Sequence, residues 1–162
     1  MTATSKRQLE AGDPAPAFRL ADDRGNNHEL KAYRGRWVVL FFYPRDLTPG
    51  CTQEACDFRD TYARFTRRKV VVLGVSDDPA ESHREFRAQH RLPFPLLVDE
   101  GGRVAGRFGA WKRKLMFGRR YMGIERSTFV IDPSGRLALV VRRVKVEGHV
   151  EQVLHELSEL MK

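Results

Sequence analysis

The run Trp37–Tyr43, WVVLFFY, constrains the fold more than any other stretch of the chain. It is too short for a lone core helix and lacks the apolar–polar alternation of a half-exposed strand. It therefore reads as a strand buried on both faces. Val70–Ser76, VVVLGVS, is a second such strand. Strands covered on both faces need helices packed against them, and helical patterns lie between and after these runs. One amphipathic pattern covers about Cys51–Phe65, and a second, opened by Asp78-Pro79, covers Ala80–His90. A closing helix at His149–Met161 carries Val150, Val153, Leu154, Leu157 and Leu160 at helical spacing. Phe94–Val98 reads as a short strand and Arg103–Phe108 as a short helix. Asp23-Arg24-Gly25-Asn26 signals a turn between extended pieces at Ala17–Leu20 and Asn27–Leu30. Pro133-Ser134-Gly135 joins Thr128–Asp132 to Leu137–Val144 as a hairpin.

This order, strand–helix–strand–helix followed by hairpin and helix, predicts a thioredoxin-like α/β fold with a central mixed sheet flanked by helices. No repeat, linker or low-complexity block interrupts it, so one domain over residues 1–162 is expected. Hydrophobic content of 41% and charged content of 31% suit a globular chain. No apolar run approaches the roughly 20 residues of a membrane helix, so no membrane partner is expected. The start, MTATSKRQLEAGDPAPAF, has no apolar core of a secretory signal, which makes the cytoplasm the expected location. In that compartment two cysteines point to redox chemistry rather than a structural staple. The net charge of +8 concentrates at residues 107–126, RFGAWKRKLMFGRRYMGIER. No nucleic-acid-binding motif accompanies that charge, so a solvated basic surface is the expectation over an acidic partner or nucleic acid. The five histidines show no metal-ligand spacing with each other or with the cysteines, and no metal is expected.

The chemistry concentrates in FFYPRDLTPGCTQEACDFRD, residues 41–60. Cys51 stands where the first apolar run passes, through a Pro/Thr/Pro/Gly loop, into the first helix. A cysteine there faces unpaired backbone N–H groups and the positive end of the helix dipole, which favour thiolate over thiol. On a helix starting at Cys51, Ala55, Phe58, Tyr62 and Phe65 fall within an arc of about 80°, with Cys51 in its middle. That stripe faces the sheet, so the sulfur points inward. Cys56 is rotated by about 140° and sits on the flank near Asp60 and Ala63. Five helical steps also separate the two Cα atoms by about 8.6 Å. A disulfide needs roughly 7 Å or less, so the pair can bond only after the first turn or two unwinds. Ahead of Cys51, Pro44 lacks an N–H and can cover the sulfur without competing for it. Thr48 offers a hydroxyl that both accepts and donates. Pro49-Gly50 forces a tight entry, and glycine admits close approach of a small ligand. Glu54 reads as a first-turn carboxylate that suits the helix dipole, with a catalytic part as the alternative.

Pro44, Thr48 and Cys51 together form P-x-x-x-T-x-x-C, which resembles the active-site motif of the peroxiredoxins. With Cys56 five residues on, the chain is similar to the bacterioferritin-comigratory-protein (PrxQ) subfamily. The resemblance extends over GDPAPAF, LKAYRGRWVVLFFYP, GVSDDPAESHREF, YMGIERSTFVID and VKVEGHVEQVL. It implies a thioredoxin-like domain with an N-terminal extension and a thiol peroxidase acting on hydrogen peroxide and organic hydroperoxides. It also implies Cys51 as the peroxidatic residue, Arg126 of GIERSTF as the pocket arginine, and Cys56 as the resolving cysteine of an intramolecular disulfide. Thioredoxin or a similar dithiol protein would be the electron donor, with no cofactor, and a monomer is the expected state. Two rival classes follow from the residues. A thioredoxin-type disulfide oxidoreductase would want C-x-x-C and a proline just before Thr128, where Ser127 stands. A non-enzymatic polyanion-binding protein would use the basic segment and survive loss of Cys51.

Overall fold

The structure, a computed structural model, describes residues 8–162. In chain order its elements are β1 (Arg19–Ala21), β2 (Asn27–Glu29), β3 (Val38–Phe42), α1 (Pro49–Thr66), β4 (Val71–Ser76), α2 (Ala80–His90), β5 (Leu96–Val98), α3 (Arg103–Arg107), β6 (Trp111–Met116), β7 (Arg119–Ile124), β8 (Ser127–Ile131), β9 (Leu137–Arg142) and α4 (His149–Leu160). Single 3-10 turns follow β2 and β5.

The two apolar runs form adjacent strands at the middle of a five-stranded sheet ordered β5-β4-β3-β8-β9. β3 pairs with β4 and β4 with β5 in parallel, whereas β3–β8 and β8–β9 are antiparallel. This is the expected thioredoxin-like mixed sheet. Alternate β3 side chains serve opposite faces. Val39, Phe41 and Tyr43 pack with α1, α2 and α4 residues such as Phe58, Phe65, Phe86 and Leu157. Val38, Leu40 and Phe42 pack with Phe18 and Leu20 of the N-terminal extension and with Val104, Ala105 and Phe108 around α3. Both faces are therefore apolar, which is why the runs show no alternation. Gly74 of β4 is required by close packing: a Cβ there would lie 2.8 Å from Phe41 Cζ.

The predicted turn at Asp23–Asn26 joins β1 to β2, and the predicted terminal hairpin is β8–β9. α1 begins two residues earlier than the sequence suggested, with Pro49 in the first turn and Thr48 as N-cap. The basic segment holds an element the sequence reading did not anticipate. β6 and β7 form an antiparallel hairpin standing apart from the main sheet. Among the described residues no helix is long and apolar enough to cross a membrane.

Candidate active site

The carboxyl ends of β3 and β4 open onto a cleft of about 670 Å³, the usual ligand position in open α/β sheets. Pro44, following β3, and Thr48 line one side; Lys114 and Met116 of β6 and Tyr121 of β7 close the other. Cys51 and Arg126 also line it. Cys51 is the third residue of α1 and is 2% exposed, as its place on the inward stripe requires. Its sulfur faces the helix end where backbone N–H groups lack intrahelical partners. Arg126 lies between β7 and β8 and reaches over that end; its Nη2 donates to Cys51 Sγ at 3.4 Å. Gly50 makes room for this contact, since a Cβ there would sit 3.1 Å from Arg126 Nη2. Thr48 spends its hydroxyl proton on the Arg45 carbonyl at 2.9 Å. Its oxygen keeps lone pairs that can accept.

Glu54 departs from the sequence expectation. α1 has no acidic residue in its first turn, because the earlier helix start moves Glu54 into the second. There it is fully buried, and its Oε1 accepts from Arg126 Nη1 at 2.7 Å. The guanidinium fork thus spans Glu54 with one nitrogen and Cys51 with the other. Glu54 Oε2 has no hydrogen-bond partner among the described residues and lies 3.8 Å from His149 Nε2. Burial pushes the Glu54 carboxyl up to about 7, with Arg126 pulling the other way. His149, at the start of α4, bonds Thr128 Oγ1 at 2.8 Å. Burial, helped by the Arg126 charge, lowers its imidazole to about 4.

The loop carrying Pro44 and Thr48 is pinned from below. Tyr43 Oη donates to Asp46 Oδ1 at 2.6 Å, Ser82 Oγ donates to Asp46 Oδ2, and the Asp46 N–H donates to Asp78 Oδ2. His83 lies 2.6 Å from Asp46 Oδ2 through Nδ1 and 2.9 Å from the Leu97 carbonyl through Nε2. Carboxylate and carbonyl oxygens accept, so both ring nitrogens donate and His83 is held as imidazolium. Burial opposes that charge, but the Asp46 hydrogen bond and field outweigh it and raise the pKa. Asp46, Asp78 and His83 lie close enough to share an ion, yet each facing atom is engaged in this network. None of it was visible in the sequence, where His83 was one histidine among five.

Cys56 lies on the flank of α1, half-buried, and both cysteines are free thiols. Burial raises the Cys56 thiol, with the Arg59 charge pulling it down.

The AhpC/TSA family model matches residues 11–140. The chain belongs to the AhpC/TSA family. Within it, the chain is 49% identical over 152 residues to Peroxiredoxin Bcp of Bacillus subtilis, covering 94% of this chain and 97% of that one. It is 40% identical over 151 residues to Peroxiredoxin Bcp of Escherichia coli, covering 93% and 97%. Among solved structures, a PrxQ cysteine-to-serine mutant of Xylella fastidiosa superposes with a TM-score of 0.90 at 35% identity, covering 96% and 99% of the two chains. The bacterioferritin comigratory protein of Xanthomonas campestris, described for its alkyl peroxide reduction activity, superposes at 0.88 with 38% identity, covering 94% and 100%. This peroxiredoxin is therefore of the Bcp/PrxQ kind, and peroxidase chemistry is the family's. Its cleft brings together four of the residues singled out in the sequence: Pro44, Thr48, Cys51 and Arg126. Cys56 stands outside it.

Proposed function

We propose that the chain is a thioredoxin-dependent thiol peroxidase reducing hydrogen peroxide and organic hydroperoxides through Cys51. The supporting observation is the Arg126 fork, which holds a guanidinium against the buried Cys51 sulfur on the cleft floor. The Cys51 thiolate attacks one peroxide oxygen. The O–O bond breaks, and the leaving hydroxide or alkoxide takes up a proton to depart as water or alcohol. Arg126 and the free N–H groups of α1 are placed to stabilise charge on the departing oxygen, while the Thr48 oxygen can accept from the peroxide O–H. Pro44 walls the site without offering a competing donor.

The product is a Cys51 sulfenic acid. The start of α1 unwinds, the Cys56 sulfur displaces water from the sulfenic acid, and an intramolecular Cys51–Cys56 disulfide forms. A thioredoxin-type dithiol attacks that disulfide and leaves with its own, returning two thiols. The scheme uses no metal or organic cofactor. Because the resolving thiol is on the same chain, it runs in a monomer, and the reducing cytoplasm supplies the reductant.

One equivalent of hydrogen peroxide on reduced protein, followed by intact mass, tests the assignment. Wild type loses about 2 Da as the disulfide forms, and Cys56→Ser gains about 16 Da as the sulfenic acid is trapped. Cys51→Ser is inert. Peroxide consumption by Cys51→Ser at the wild-type rate refutes the reading. NADPH oxidation with thioredoxin and its reductase, compared with a glutaredoxin system, identifies the reductant.

A further inference from the structure

The β6–β7 hairpin presents a feature that neither packing nor the peroxide chemistry requires. Its two-residue turn is Phe117-Gly118, with φ of 52° and 75°. Positive φ at both positions makes a tight hairpin turn that favours asparagine or glycine. A phenylalanine in the left-handed region is strained, and here it gains no burial in return, being 96% exposed. Its neighbours Leu115 and Met116 are 71% and 53% exposed. An apolar tip held out at a conformational cost points to something apolar that receives it.

The rest of the hairpin specifies the charge of that partner. Lys112, Arg113, Lys114, Arg119 and Arg120 line the two strands, and no carboxylate occurs between Trp111 and Ile124. No carboxylate pairs with Arg113, Arg119 or Arg120 among the described residues. The order along the hairpin is the informative part. The apolar tip leads. Behind Phe117, Met116 stands across from Arg119 and Leu115 across from Arg120, and Arg113 follows about 14 Å from Phe117 at roughly 3.4 Å per residue. A nucleic-acid surface would meet phosphates first, so its cations should lead. A second copy of this hairpin would set two cationic ribbons against each other. A bilayer rim has the opposite layering, with acyl chains deepest and anionic headgroups above them.

We propose that the β6–β7 hairpin docks this protein on anionic phospholipid surfaces, with Phe117 leading into the acyl boundary, Leu115 and Met116 at its rim, and the arginines across from them extending back to the headgroups. The sequence expectation of no membrane partner rested on the lack of a spanning run, which peripheral docking does not need. Since Lys114, Met116 and Tyr121 also wall the Cys51 cleft, docking places the mouth of that cleft beside the lipid. Lipid binding at the hairpin is independent of the chemistry at Cys51, so failure of either leaves the other standing.

The test is co-sedimentation of the full chain with vesicles of equal parts phosphatidylglycerol and phosphatidylcholine, against phosphatidylcholine alone. Binding is expected on the mixed vesicles and not on the neutral ones. Phe117→Ser, which leaves charge unchanged, should weaken it about tenfold. Arg113→Gln with Arg120→Gln should weaken it by an order of magnitude or more. Phe117→Trp should shift its emission to the blue on the mixed vesicles, with circular dichroism confirming that each variant is folded. No binding to mixed vesicles overturns the proposal, as does wild-type affinity in Phe117→Ser. So does displacement by oligothymidylate at equal charge concentration, which would assign the surface to nucleic acid. Hairpin variants that change the sedimentation coefficient of the free protein while vesicles are ignored would assign it to self-association.

Discussion

Glu54 lies between Cys51 and Cys56, so any unwinding that lets those sulfurs meet must carry its carboxyl out of the interior. In the intact helix that carboxyl is fully buried, and burial lifts its pKa from 4.5 to about 7 despite Arg126. In the unwound segment it returns to water and to its ordinary value. A carboxyl raised in the ordered state stabilises that state fully below about 4.5, and the contribution drains away as pH rises through 7. A shift of this size corresponds to about 3–4 kcal/mol, or roughly 300-fold in the unwinding equilibrium. The groups facing Glu54 do not blur the window. Arg126 keeps its charge throughout, His149 of α4 is neutral above about 4, and Asp57 on α1 adds a modest upward push. The assay is amide hydrogen exchange on the reduced protein between pH 4.5 and 8, corrected for intrinsic rates. The second half of α1, from Thr61 to Phe65, serves as internal reference. Protection of the amides from Gln53 to Asp57 should fall roughly 300-fold across the window and then level off. Glu54→Gln keeps the shape and cannot ionise, so its protection should be flat. A flat wild-type profile, or a Glu54→Gln profile that still falls, refutes the coupling.

Two further outcomes test the site. Arg126→Lys removes the fork that reaches Cys51 Sγ and Glu54 Oε1 together, leaving a point charge that serves one at a time. The second-order rate with hydrogen peroxide, followed by stopped-flow tryptophan fluorescence, should drop by about 10²–10³ while the far-ultraviolet dichroism is unchanged. Asp46→Asn leaves the buried His83 without its counter-charge and should cost about 3–5 kcal/mol in urea unfolding. Because His83 is raised in the folded state, the pair's contribution is complete below its ordinary value of 6.5 and is lost as pH climbs past the folded one. The wild-type advantage over Asp46→Asn should therefore shrink in alkali; a constant difference from pH 6 to 9 would count against an imidazolium.

What the sequence made legible, and what it hid, divides by the range of the interactions involved. β3, β4 and α1 announce themselves because burial on both faces and a 3.6-residue apolar stripe are local signals. The same local geometry places the Cys51 sulfur inward and Cys56 on the flank. The hairpin β6–β7 escapes such rules because it packs little apolar surface. Its strands alternate arginine and lysine with scattered apolar residues, and its turn carries Phe117 where asparagine would advertise a turn. Arg126 could be chosen from so many arginines by motif resemblance alone, since its partners lie 72 and 75 positions away. Glu54 shows why the remaining error was instructive. A start moved two residues upstream carries it from the first turn into the second, off the N-terminal rim and into the core. There the dipole matters less than Arg126, which can reach Glu54 and Cys51 at once because β8 pairs with β3 directly beside the helix entry. The cysteine thus inherits its environment from a strand pairing that no short window of sequence contains.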